Sequence, residues 1–79
     1  MDKPLLRIGL IGSGFMGRAH AFAYATAARA FDLPFRVELA TLADATQQEA
    51  AAGARALGFA RATADWRAMV ADPGIDVVH

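Results

Sequence analysis

The stretch Ile8-Gly-Leu-Ile-Gly-Ser-Gly-Phe-Met-Gly-Arg-Ala-His20 sets Gly12, Gly14 and Gly17 within six residues, directly after an apolar run. Glycine loses more conformational freedom on folding than any other residue and brings no side chain to a core. The cluster therefore implies a backbone that turns sharply or is closely approached. The run before it, residues 5–11, is interrupted only by Arg7 and Gly9. A near-continuous apolar segment of that length predicts a strand covered on both faces, as in a parallel sheet. After the glycines, an alanine-rich segment without proline predicts a helix from Phe15 to about Ala30, with Pro34 beyond its end.

The same alternation continues along the chain. Residues 35–43, FRVELATLA, place Val37, Leu39, Thr41 and Ala43 at alternate positions and predict a second strand. Thr46 and Glu49 fit a capping box, in which a hydroxyl and a carboxylate three residues on satisfy each other's orphan N–H groups. The helix they open is expected to run to Leu57 and stop at Gly58, with Gly53 inside it costing up to about 1 kcal/mol relative to alanine. Residues 59–62 are expected to form a short third strand. Asp65 is expected to cap a short helix, WRAMVA, that Pro73-Gly74 ends, and IDVVH opens a fourth strand. Strands and helices alternating in this way predict an α/β fold with a parallel sheet and right-handed crossovers. A last strand cut near its start suggests a piece of a longer protein. The 79 residues are expected to be marginally stable alone, because one flank of the first strand would lack its neighbours.

Composition narrows the function classes. Eight basic and eight acidic residues balance, so no strong pull toward nucleic acid or an anionic membrane is expected. The apolar fraction is 56%, but alanine supplies much of it and the core is expected to be thin. The absence of cysteine excludes disulfides, thiolate catalysis and zinc-thiolate sites. No apolar segment approaches the roughly 20 residues that span a bilayer, and the N-terminus lacks the pattern of a signal peptide, so a cytoplasmic location is expected.

Gly12, Gly14 and Gly17 make G-x-G-x-x-G at a strand–helix junction, the arrangement that binds the pyrophosphate of a dinucleotide. Gly12 permits the turn out of the strand, Gly14 lets the pyrophosphate approach bare backbone, and Gly17 lets helix and strand pack closely. N–H groups opening the helix, around Phe15 and Met16, lack intrahelical acceptors and form an anion site with the helix dipole. Asp44 at the end of the second strand can accept from a ribose 2′-OH and repel a 2′-phosphate. It lies 27 residues after Gly17, against the usual spacing of about 20, and residues 27–36 account for the excess. The candidate cofactor site is thus Gly12, Ser13, Gly14, Phe15, Met16, Gly17 and Asp44, with NAD favoured over NADP because Ala45 and Thr46 supply no cation beside the acid. A P-loop fails, since Arg18-Ala19 stands where Lys-Ser/Thr is required. An adenosyl site of the methyltransferase type remains an alternative, although Leu10 and Ile11, not an acid, precede Gly12.

Three pieces in order, IGLIGSGFMGRAHAFAY, ELATLADAT and DWRAMVADPGIDVVH, resemble the Gfo/Idh/MocA oxidoreductases, which include glucose–fructose oxidoreductase and inositol dehydrogenases. The segment AFDLPFRVELA resembles one subgroup of sugar or polyol dehydrogenases. The resemblance implies that residues 1–79 are the first part of an NAD(P)-binding Rossmann domain, a fold truncated relative to the full domain. It further implies a parent enzyme, expected to be a homo-oligomer, with a second substrate domain that transfers hydride between a nicotinamide and a sugar, inositol or related polyol. The family's Thr-Pro-Asn segment, Glu-Lys-Pro motif and catalytic residues fall beyond His79, so no catalytic or metal-binding residue is expected in this chain. A non-catalytic, dinucleotide-sensing regulator of the same family is the alternative function.

Other conspicuous residues have plainer readings. His20 is expected to pack or make a structural hydrogen bond rather than act as an acid or base, Arg18 to be a solvated helix residue rather than a phosphate contact, and Trp66 to anchor the short helix in the core rather than offer a stacking surface. Asp65, Asp72 and Asp76 are read as caps and turn residues, not as a paired-carboxylate site.

Overall fold

In the computed structural model, residues 3–12, 14–30 and 32–79 are described, the side chains of residues 15–17 and 28 excepted. The chain forms β1 (Leu5–Ile11), α1 (Phe15–Ala30), β2 (Arg36–Ala43), α2 (Gln47–Leu57), β3 (Arg61–Thr63), α3 (Trp66–Ala71) and β4 (Val77–Val78). All pairings are parallel and the strand order is β3-β2-β1-β4. The expected alternating α/β fold is present, and β1 runs through the interior of the sheet.

That interior position comes from both neighbours. Leu5 to Ile8 pair with Arg36 to Leu39, and after a one-residue shift Gly9 to Ile11 pair with Thr41 to Ala43. On the other side Ile8 and Gly9 pair with Val77 and Val78. Asp76 strengthens this side twice: its N–H donates to Arg7 O at 2.9 Å, and its carboxylate accepts from Arg7 N–H at 2.8 Å. The flank of β1 expected to be bare is therefore covered by β4, and Asp76 acts as a clamp between strands. Arg7 and Glu38 stand opposite each other across β1 and β2, with Nε to Oε2 at 3.2 Å. At the start of β1, the ammonium of Lys3 lies 2.5 Å from Asp32 and holds that exposed carboxyl below its ordinary range.

The core is small, as the alanine content implies. Leu10, Ala21, Leu42, Ala50, Ala54 and Phe59 form the buried cluster, with Leu39, Leu57 and Ala62 packed against it. Helix α2 buries Ala50, Gly53 and Ala54, so a face of small residues brings its backbone close to the sheet.

The helix signals act as the sequence implies. Thr46 is the N-cap of α2 and its hydroxyl accepts from Glu49 N–H at 3.0 Å. The reciprocal bond from the Glu49 carboxylate is not formed among the described residues. Gly58 adopts φ +81° and donates to Ala54 O, the left-handed stop expected of glycine. Phe59 N–H also bonds to Ala54 O, and its side chain is buried. This wrap shifts β3 to Arg61–Thr63, two residues beyond the expected start. Asp65 caps α3 by accepting from Ala68 N–H at 3.1 Å, and Asp72 closes it, its N–H bonded to Met69 O.

Candidate functional site

The carboxyl ends of the strands are joined by a row of backbone bonds. Ile11 N–H donates to His79 O at 2.7 Å, Gly12 N–H to Ala43 O at 2.7 Å, and Asp44 N–H to Thr63 O at 3.1 Å. Each link falls at or just past the end of a strand, so Gly12 and Asp44 are fixed by the sheet itself. In open α/β sheets this edge is where ligands bind.

Gly12 leaves β1 at φ +85°, a conformation that side-chain-bearing residues rarely adopt. The tight turn assigned to it is present. Gly14 sits immediately before α1, and its carbonyl accepts Arg18 N–H at 2.9 Å, so it is the helix N-cap. A Cβ at Gly14 meets nothing within 4 Å, which leaves open space above the backbone. Phe15, Met16 and Gly17 form the first turn of α1, with no acidic residue there to occupy its N–H groups. That cradle fits an anionic group such as a pyrophosphate. Ser13 lies outside the described residues, as do the side chains of Phe15 and Met16.

Asp44 is half-buried and its Oδ1 accepts from Ala45 N–H at 2.8 Å. Gly12 and Asp44 line the same cleft, of about 450 Å³, together with Ile11, Ala43 and Ala45. Its far wall comes from residues 64–67, the turn from β3 into α3. This wall was not foreseen from the sequence, which places residues 64–67 more than 50 positions after Gly12. The cleft includes Trp66, which is 44% exposed; the expected core anchor is a surface residue. The role of anchoring α3 falls to Met69, which is buried against Gly9 of β1.

The remaining readings divide simply. Arg18 is exposed on α1 and lines a separate, more apolar groove between α1 and α2 with Phe22 and Leu57. His20 is half-buried, its ring 4.6 Å from that of His79, while the Tyr24 hydroxyl is paired with His79 Nε2. His20 thus packs, as expected, against the end of β4. Among the described residues no group of three or more His, Cys, Asp or Glu could hold a metal ion, and no helix is long and apolar enough to cross a membrane.

Comparison with known proteins matches this fold. The chain is 46% identical over 77 residues to levoglucosan dehydrogenase from Pseudarthrobacter phenanthrenivorans, covering 92% of the chain and 19% of that protein. A solved levoglucosan dehydrogenase, in complex with NADH and L-sorbose, superposes with a TM-score of 0.90 at 43% identity, over 95% of the chain and 20% of that structure. An NAD-binding oxidoreductase from Klebsiella pneumoniae superposes with a TM-score of 0.89 at 55% identity, over 92% of the chain and 20% of that structure. The chain thus spans about a fifth of the length of these relatives. Residues 6–79 match the family described as "Oxidoreductase family, NAD-binding Rossmann fold", and the chain belongs to this Gfo/Idh/MocA family.

Proposed function

We propose that residues 1–79 are the first part of a dinucleotide-binding domain, and that the whole protein is an NAD-dependent oxidoreductase acting on a sugar or related polyol. The observation that carries this reading is the placement of Gly12 and Asp44 in one cleft at the carboxyl edge of the sheet, beside the open N-terminus of α1. Backbone N–H groups of residues 13–17 hold the pyrophosphate, where bare backbone at Gly14 permits close approach. Asp44 accepts from the 2′-OH of the adenosine ribose, and its charge disfavours a 2′-phosphate. The nicotinamide supplies hydride chemistry when bound. This chain's own part is to hold and orient the cofactor, while the groups that act on substrate lie beyond residue 79. The levoglucosan dehydrogenase complexes with NADH support the choice of cofactor, and with L-sorbose or levoglucosan they support the substrate class.

Gly14 gives the decisive test. A side chain there meets nothing among the described residues of this chain, and an unchanged thermal midpoint of the variant without cofactor assigns lost affinity to the ligand. In the full-length protein, Gly14→Val is expected to abolish NADH binding measured by calorimetric titration. Gly14→Ser keeps a good helix cap but still adds a Cβ, and is expected to weaken binding strongly. Wild-type affinity in both variants would show that the loop is only a turn.

A further inference from the structure

His79 touches both segments that flank the glycine turn. Its backbone lies along the end of β1, where its N–H donates to Gly9 O at 2.9 Å and its carbonyl accepts from Ile11 N–H at 2.7 Å. Its side chain reaches the helix on the other side of the turn. There Nε2 pairs with the Tyr24 hydroxyl, and the imidazole lies 4.6 Å from the ring of His20 and 5.3 Å from that of Tyr24. His20 and Tyr24 stand four residues apart in α1, so they share one face of the helix, in its second and third turns. A hydroxyl both donates and accepts, so the pair with Tyr24 forms with either neutral tautomer of His79.

Apolar packing holds α1 only thinly. Among its described residues Ala21 alone is buried, and a methyl group adds little area to the core. Beside the histidines, Ala23 and Ala27 border an open groove of about 350 Å³. The position of α1 beside β4 therefore depends on the polar contacts of His79. We propose that His79, Tyr24 and His20 form a brace across the glycine turn, which holds the N-terminus of α1 in place against the end of β1 and makes them positioning residues for the pyrophosphate. The inference rests on the dinucleotide reading of Gly12 to Gly17 and Asp44. The N–H groups that open α1 move with the helix, and they attract an anion best when they converge on it. The brace orders them before the anion arrives, so binding does not have to. Asp44 follows β2, on the side of β1 away from β4, and the ribose it would hold is outside the brace's reach.

The test uses the full-length protein and three probes: NADH and ADP, which carry the pyrophosphate, and adenosine, which carries no phosphate. NADH is titrated by its fluorescence, and the other two by competition with it. Tyr24→Phe removes one hydroxyl and is expected to weaken NADH and ADP by the same factor, roughly fivefold, the equivalent of one net hydrogen bond, with adenosine unchanged. His79→Leu is expected to match it. The double variant is expected to lose no more than either single one, because both break the same bond. His79→Gln, whose amide can still pair with the hydroxyl, is expected to keep most of the wild-type affinity. His20→Ala is expected to give a smaller loss, and His20→Phe, which keeps a ring against His79, to restore it. Wild-type affinity for NADH and ADP in both Tyr24→Phe and His79→Leu overturns the brace, even where their thermal midpoints fall, since those residues then serve only the fold. Equal losses for adenosine and NADH also overturn it, because they report a general loosening. Gly14→Val in the same assay separates the two proposals. Abolished binding there, beside unchanged affinity in the brace variants, removes the brace alone, whereas wild-type binding by Gly14→Val removes the dinucleotide reading and the brace with it.

Discussion

Gly12 and Gly14 lack side chains for different reasons, and Gly9 for a third. At Gly12 the demand is conformational, a φ of +85° with open space around the missing Cβ. At Gly14 the space is also open, and the demand proposed for it is the approach of the cofactor. At Gly9 the demand is crowding: a Cβ would stand 3.1 Å from both Met69 Sδ and Ile75 Cγ2. Met69 is buried over β1, and its flexible thioether can yield by a few tenths of an ångström, whereas the branched Ile75 yields less. Overpacking of this kind costs about 1–3 kcal/mol, offset in part by the 0.5–1 kcal/mol or so that alanine gains over glycine in a strand. Gly9→Ala is thus expected to destabilise the protein by about 1 kcal/mol, read from the urea midpoint at unchanged slope. Pairing it with Ile75→Leu, which removes the Cγ2 branch at similar volume, is expected to recover part of the loss, and a Gly9→Ala variant more stable than wild type would remove the crowding argument. The sequence showed Gly9 only as an interruption of an apolar run. Its partners lie 60 and more positions away, and nothing local announces them.

At the scale of elements, local signals were sufficient wherever local chemistry decides the outcome. Thr46, Gly58, Asp65 and Asp72 each act within three or four residues of themselves, and each sits where its capping role places it. Thr46 is the sharpest case, since its hydroxyl supplies the bond to Glu49 N–H and α2 carries three core residues behind it. Thr46→Ala is expected to cost about 1 kcal/mol and Thr46→Ser much less, compared through chemical denaturation midpoints. Equal losses in the two would mean that the cap bond contributes nothing. Local signals failed where a distant contact decides. β3 begins late because Phe59 folds back onto α2 to bury its ring. Trp66 was expected to anchor the short helix in the core, but Met69 on the same helix takes the buried side and Trp66 is left exposed.

For the molecule as a whole, alternation predicted a parallel sheet, but the order β3-β2-β1-β4 and the shared cleft required the folded chain. The glycines and Asp44 were legible because each belongs to a spacing pattern; the wall at residues 64–67 was not, because adjacency across β2 leaves no mark in sequence. In the proposed reading the cofactor lies in that cleft against the ends of three strands, which couples its binding to the stability of the sheet. Any ligand that binds only the folded state stabilises it by RT ln(1 + [L]/Kd), about 2.7 kcal/mol when the ligand is at 100 times its Kd. NADH is accordingly expected to raise the thermal midpoint of the full-length protein, increasingly with concentration, and Gly14→Val to show no rise. NADPH at equal concentration is expected to raise it less, because its 2′-phosphate meets the Asp44 carboxylate, and Asp44→Asn is expected to narrow the gap between the two. Arg67 lines the same cleft and bears the opposite charge, so it bounds the size of the NADPH penalty. Equal shifts for the two cofactors in wild type would show that Arg67 offsets Asp44. Equal shifts that also survive Arg67→Ala would remove Asp44 from cofactor choice altogether.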